Sequence, residues 1–265
     1  MSILLDFDMD FFTRPIYLES KDNERLYGEE ECRTVPQEPL FRALKERGLV
    51  WEPKDVQLFT NHKKSHTLWW LRKYRNCTLI HIDAHSDFYR PKGRDLMKMG
   101  NGEISCFNYI WYAVRDGYVN KVYWVLPEDH ELVEQMDQSC GMVWDEEKDG
   151  EAPMLLKRMI DGRMPSRMVV GEGWVKLFCP LETAAGPLEL EIIITTAEAL
   201  PVFHDKVEMV TAATSPEFMS RKADGILEEF CRHMGVREEM YQNVLRQHEE
   251  MKSSLHRLDD LHDVF

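Results

Sequence analysis

Two acidic strings close apolar runs in this chain: Leu4-Leu5-Asp6-Phe7-Asp8-Met9-Asp10 and Ile80-His81-Ile82-Asp83-Ala84-His85-Ser86-Asp87. Read as strands, they place side chains two apart on a common face. Asp6, Asp8 and Asp10 then project together, as do Asp83, His85 and Asp87. Carboxylates crowded in this way repel one another, and burying them without a cation is costly. A divalent metal ion removes that cost. The mixture of carboxylate and imidazole suits manganese, iron or zinc better than an ion that prefers thiolate. The Leu, Ile and Phe residues flanking both strings argue for buried strand ends rather than a solvated acidic turn.

The elements that must carry these strings follow from the hydrophobic pattern. Residues 3–7 and 78–82 read as buried strands, as do 122–126 (stopped by Pro127), 190–195 and 207–210. Helical patterns lie between them at 38–47, ended by Gly48, at 65–74, and at 105–115, ended by Gly117. This alternation predicts an α/β fold with a mainly parallel central sheet covered on both faces. Ligands gather at the carboxyl ends of such strands, where both acidic strings sit. The stretch 140–187 differs, holding Gly, Pro and acidic residues with short β-like pieces such as 174–178. It reads as a small β-containing insertion facing the substrate. Towards the C-terminus, Ser215 has the character of an N-cap, with Pro216 at the first helical position and Glu217 in the first turn. Gly235 separates that helix from a charge-rich second one running to about residue 261. Its apolar residues Met240, Val244, Leu245, Met251, Leu255 and Leu258 are spaced to pack on the body or on another subunit of a homo-oligomer.

At 265 residues the chain can build one large α/β domain. A hydrophobic share of 43% and a charged share of 30% suit a soluble globular protein. No apolar run approaches the ~20 residues of a membrane-spanning helix, and the start Met1-Ser2-Ile3-Leu4-Leu5-Asp6 has no basic n-region of a signal peptide. Six cysteines without a C-x-x-C pair point to a reducing cytoplasm rather than a disulfide framework. The net charge of −14 disfavours nucleic acid and favours cationic ligands or peptides.

Asp83-Ala84-His85-Ser86-Asp87 closely resembles the Asp-Ala-His-x-Asp signature of the ureohydrolase superfamily, the arginases and agmatinases. Phe7-Asp8-Met9-Asp10 resembles its Ser-Phe-Asp-x-Asp signature, and Asn61-His62 resembles the Asp-His that completes its ligand set. The resemblance implies a three-layer arginase-like fold and two manganese ions per chain, held by Asp8, Asp10, His62, Asp83, His85 and Asp87. His66, one helical turn after His62, is the alternative ligand. In ordinary arginases the Phe-Asp-x-Asp strand comes late, whereas here it opens the chain, which implies a circularly rearranged strand order. The Asp8-Met9-Asp10-Phe11-Phe12 form is similar to the peptide-arginase branch, whose members convert arginine side chains of a ribosomally made precursor peptide to ornithine. The resemblance covers residues 3–12 and 60–90, thins over 91–126, and is absent from 140–187.

Two metals roughly 3.5–4 Å apart acidify a shared water for attack on a guanidinium carbon. Within the resemblance, Asp87 both ligates and orients that water. The Gly-Asn-x-His-Gly segment with the family's shuttle histidine is missing, and Glu103 stands near its spacing as the candidate acid for the leaving amine. A further carboxylate must hold the guanidinium, with Glu29, Glu30, Glu31 and Glu217 as candidates. His81 and Asp6 lie deeper in their strands and read as supporting or core residues. Two other activities stay open. One is hydrolysis of a small guanidino compound; the other is a haloacid-dehalogenase-type phosphatase with Asp6 as nucleophile and Asp8 as acid/base, which leaves the Asp83–Asp87 string unexplained.

Overall fold

In the computed structural model, which describes residues 2–16, 24–25, 32–89, 104–159, 165–184 and 186–253, the first apolar run is strand β1 (Ile3–Asp8), buried at all six residues. Full burial is what a central strand covered on both faces requires. The main sheet continues with β2 (Val56–Phe59), β3 (Cys77–Ile82), β4 (Val119–Val125), β5 (Val143–Asp145), β6 (Arg167–Gly171), β7 (Trp174–Thr183), β8 (Gly186–Thr195) and β9 (Val207–Ala213). Their order across the sheet is β2-β9-β1-β3-β4-β8-β7-β6-β5. Neighbours from β2 to β8 are parallel, while β7, β6 and β5 add on antiparallel.

Helices cover both faces. Against one face pack α1 (Glu38–Glu46), α7 (Leu227–Met234) and α8 (Glu238–Glu250), around Phe7, Phe12, Phe41 and Phe230. Against the other pack α2 (Lys63–Leu71), α3 (Tyr109–Arg115) and α4 (Glu131–Gln138), around Leu4, Leu79, Trp69 and Tyr109. Two short helices, α5 (Glu146–Asp149) and α6 (Met154–Met159), lie between β5 and β6. This is an α/β fold in layers, as the alternation predicted. Ile3, Leu5 and Phe7 point to the first face, so Asp6 and Asp8 point with Leu4 to the second, where α2 and α3 lie.

Chain direction then makes the crevice. From β1 the chain crosses through α1 on one face to β2, and from β3 through α3 on the opposite face to β4. At such a switch point the helices diverge and a cleft opens at the carboxyl ends of the two adjacent strands. Asp8 and Asp83 stand at those ends.

Several sequence expectations are corrected. The 140–187 stretch is not a separate appendage: its strands extend the sheet, its β6/β7 turn lies at the carboxyl edge beside Thr195, and the β7/β8 hairpin turn lies at the amino edge. There, the backbone N–H of Ala184 donates to the Arg115 carbonyl at 2.8 Å. Ser215 does not cap an α-helix; it adopts a left-handed conformation (φ 37°) before a single 3-10 turn, Pro216–Phe218, and the helix starts only at Leu227. The last helix ends at Glu250, with Met240, Tyr241, Val244 and Leu245 packed on the body. Residues beyond 253 lie outside the described ones. Among the described residues, no helix is long and apolar enough to cross a membrane.

Gly48, just past α1, has φ +80°, and a Cβ added there would stand 2.3 Å from the Phe203 carbonyl oxygen. Backbone cannot yield as a side-chain tip can. Gly48→Ala is expected to lower unfolding free energy by more than about 1 kcal/mol, read from the urea midpoint. Gly117→Ala, with similar φ but open space, should cost less.

Candidate metal centre

Four strand ends supply the site. β1 runs into Asp8 and the 3-10 turn Met9–Phe12 that carries Asp10; β2 runs into Thr60, Asn61 and His62 at the start of α2. β3 stops at Ile82, so Asp83, His85 and Asp87 occupy the loop beyond it, and β9 runs into Thr214, Ser215 and the turn carrying Glu217. Strict strand alternation therefore places Asp6 and Asp8 together but does not position Asp10, His85 or Asp87. A left-handed residue, Asp87 (φ 47°), and the turn after Asp8 aim those side chains inward. Asp and Asn tolerate this conformation better than most residues.

His62 is at the centre and fully buried. Its Nε2–H donates to the Phe7 carbonyl at 2.8 Å, which leaves Nδ1 to face carboxylates. Nδ1 stands 3.2 Å from Asp8 Oδ2, 3.4 Å from Asp83 Oδ2 and 3.1 Å from Asp87 Oδ2. His85 Nδ1 stands 2.8 Å from Asp10 Oδ2 and 3.6 Å from Asp83 Oδ1. Among the described residues, Asp8, His62 and Asp83 can converge on one ion, and Asp10, Asp83 and His85 on another, each set with ligand atoms within 4.8 Å of one another. A third set, His81, Asp83 and Asp87, overlaps them. Asp83 is common to all three.

The donor set fits a cation. Both Asp10 carboxylate oxygens and Asp83 Oδ2 are buried without accepting a hydrogen bond, although imidazoles stand near. Buried acceptors are ordinarily satisfied, and unsatisfied ones point to an unfilled partner such as an ion. The protonation pattern agrees. Burial, then the charges of Asp8 and Asp83, push the Asp10 carboxyl up to about 8. Burial and Asp83 push Asp87 up to about 6. Burial alone would also raise Asp83, but the imidazoles of His81, His62 and His85 outweigh it and hold that carboxyl below the usual range. For His62 and His85 burial is likewise outweighed, by Asp6 and Asp8 for the first and Asp10 for the second, so both imidazoles hold protons well above their ordinary value. Without metal, protons do the work of a cation.

Behind this layer lies Asp6, with no exposure. It accepts from Ser65 Oγ at 3.0 Å and from the hydroxyls of Thr211 and Tyr109, while His81 Nδ1 (3.3 Å) and His62 Nε2 (3.4 Å) also face it. His81 Nε2 turns to Asp83 Oδ2 at 3.3 Å and the His85 carbonyl at 3.2 Å. A carboxylate so enclosed fixes the two imidazoles beside the ligand carboxylates, the outer-shell support that metal sites use. It cannot reach a substrate, which removes Asp6 as a phosphatase nucleophile.

All six residues in the resemblance's ligand set are thus brought together. His66 is not: it pairs with Asp116 at 3.4 Å, beside Tyr118. Glu217 is half-buried, and the next residue, Phe218, sets its ring 5.3 Å from that of His85. Cys106 lies within the field of Asp87, His62, Asp8 and Glu217, its thiol pushed up to about 12 by burial and then by Asp87. Glu29, Glu30, Glu31 and Glu103 lie outside the described residues. Sequence reading missed the support from Ser65, Tyr109, Thr211 and Ser215, whose hydroxyls sit in no motif. Set against known protein families, curated proteins and solved structures, the chain matches none.

Proposed function

We propose that this chain is a dinuclear metal hydrolase of arginase-like fold, with manganese preferred, that converts arginine side chains of a ribosomally made precursor peptide to ornithine and urea. The observation that carries the reading is Asp83, common to two buried carboxylate–imidazole sets in which both Asp10 oxygens and Asp83 Oδ2 accept no hydrogen bond. A single ion would leave one set unfilled. When bound, two divalent ions offset the carboxylate charge and make a shared water nucleophilic near neutral pH.

The chain's residues do the rest. Asp87 accepts a hydrogen bond from the attacking water and orients it towards the guanidinium carbon. A further carboxylate, Glu217 on the turn after Ser215 or one of Glu29, Glu30 and Glu31, pairs with the guanidinium. The water oxygen bonds to carbon, the bond from carbon to the side-chain nitrogen breaks, and Glu103 protonates the departing amine. Urea and an ornithine side chain result. Incubating the protein with manganese and arginine-containing peptides tests this by mass: each converted site should lose one CN2H2 unit. Unchanged peptide mass alongside bound metal would count against the reaction and not the site.

Proton competition gives a signed pH dependence. Asp10 (about 8), Asp87 (about 6) and the raised His62 and His85 must lose protons before they ligate. Metal affinity should therefore climb with pH, most steeply between about 6 and 8. Each raised group also binds its proton more tightly folded than unfolded. Metal-free stability from Asp10 and Asp87 is therefore full only below about pH 3.8 and lost as pH rises to about 8 and about 6 respectively, while that from His62 and His85 is full below about pH 6.5 and lost above it. Calorimetric titration at pH 5.5 and 8 should show stronger binding at the higher value, with protons released; stronger binding at pH 5.5 would contradict it.

A further inference from the structure

The last turn of α8 makes two adjacent polar contacts with loops of the metal centre. His248, one of two buried residues of that helix, places Nδ1 3.0 Å from Asp224 Oδ1 and Nε2 2.7 Å from Thr214 Oγ1. A carboxylate only accepts, so Nδ1 carries the proton and Nε2 accepts from the Thr214 hydroxyl. Thr214 itself has no exposure, and its backbone N–H donates to the Phe59 carbonyl at 2.9 Å, tying the loop after β9 to the last residue of β2. The preceding helix residue, Gln247, accepts at Oε1 from the Thr60 hydroxyl at 3.2 Å. Thr60 lies two residues before His62, and Thr214 immediately before Ser215. Ser215 is held left-handed, and its hydroxyl donates to Asp8 Oδ2. Asp8 Oδ1 accepts the Asp10 backbone N–H at 3.1 Å. A serine in that conformation persists only where its surroundings hold it.

We propose that His248 is a positioning residue of the metal centre, acting through Thr214 and Ser215 to fix the Asp8 carboxylate. The inference rests on the metal reading. Its chain is Asp224–His248–Thr214, then Ser215–Asp8, anchored on a helix outside the sheet. Nothing in it needs His248 to touch metal or substrate.

The test measures manganese affinity of the full chain, by the electron paramagnetic resonance signal of free Mn2+, for the native protein and for His248→Leu, Ser215→Ala and the double variant. Removing outer-shell support ordinarily weakens metal binding by about 10- to 100-fold, and each single variant is expected to show at least the lower figure. The double variant should be no weaker than the weaker single one, because both act on one chain. Thr214→Val should match His248→Leu, and Thr214→Ser, which keeps the hydroxyl, should bind like the native protein. Should His248→Leu fail to fold, the two Thr214 variants decide alone. Native affinity in His248→Leu or Thr214→Val would overturn the proposal, as would losses that multiply in the double variant or a Thr214→Ser as weak as Thr214→Val. A native chain that binds no manganese would instead remove the metal reading beneath it.

Discussion

Asp83→Ala should abolish binding of divalent ions and lower turnover by more than about a thousandfold, a loss on the scale of removing a metal's charge stabilisation from the reaction. Asp83 belongs to every metal-ligating set among the described residues, and its side chain lies within 3.6 Å of His62, His81 and His85. Without it, both proposed ions lose a ligand, and three imidazoles lose the carboxylate between them. The backbone should survive, because the Trp124 indole N–H donates at 3.0 Å to the Asp83 carbonyl, which alanine keeps. Asp83→Asn keeps the shape and removes the charge, separating ligation from packing. Asp8→Ala removes a ligand of one set only, so residual binding is expected to be weaker there than in the native chain but stronger than in Asp83→Ala. Metal content after dialysis, together with a melting curve, reads all four proteins. Stoichiometric metal in Asp83→Ala and Asp83→Asn would dismiss the site.

The second large effect concerns substrate. A peptide carrying arginine should be hydrolysed with a kcat/KM at least about a hundredfold above free arginine or agmatine. Discrimination of that size is normal where a site lacks partners for one substrate's polar groups. Free arginine brings an α-carboxylate and α-amine that need dedicated partners, and the loops that carry them in the ureohydrolases this sequence resembles have no counterpart in it. The strands of stretch 140–187 extend the sheet, with the β7/β8 turn at the opposite edge and the β6/β7 turn at the carboxyl edge. Peptide recognition must then fall to the carboxyl-edge loops, with Glu217 on one of them. The net charge of −14 steers a cationic peptide inward mainly at low salt, so the advantage should shrink as salt rises. A preference for either small molecule would overturn the peptide assignment and leave the hydrolytic one standing.

The six residues that converge at the strand ends were legible in the sequence because ionisable groups are concentrated there. Two strand-end strings and one histidine carry ionisable residues at a density that ordinary cores avoid, and the strands behind them are continuous apolar runs. Burial on both faces leaves that signature in sequence whatever the neighbours are. Edge and boundary elements did not announce themselves. Val56–Phe59 is a short edge strand that owes its state to pairing with β9, and β5 joins the sheet only through antiparallel pairing with β6.

Only the tertiary structure decided what surrounds each acidic residue. Asp6 reads as the deeper of the first two aspartates, but its enclosure by Ser65, Thr211, Tyr109 and two histidines comes from packing, whereas Asp8 meets His62 and Ser215. The same holds for Ser215, which reads as a helix cap and instead donates to Asp8 from a left-handed turn. A hydroxyl's role is set by the acceptor that packing brings within about 3 Å. That acceptor lies 59 residues away for Ser65 and 207 for Ser215, a distance along the chain that no local pattern encodes.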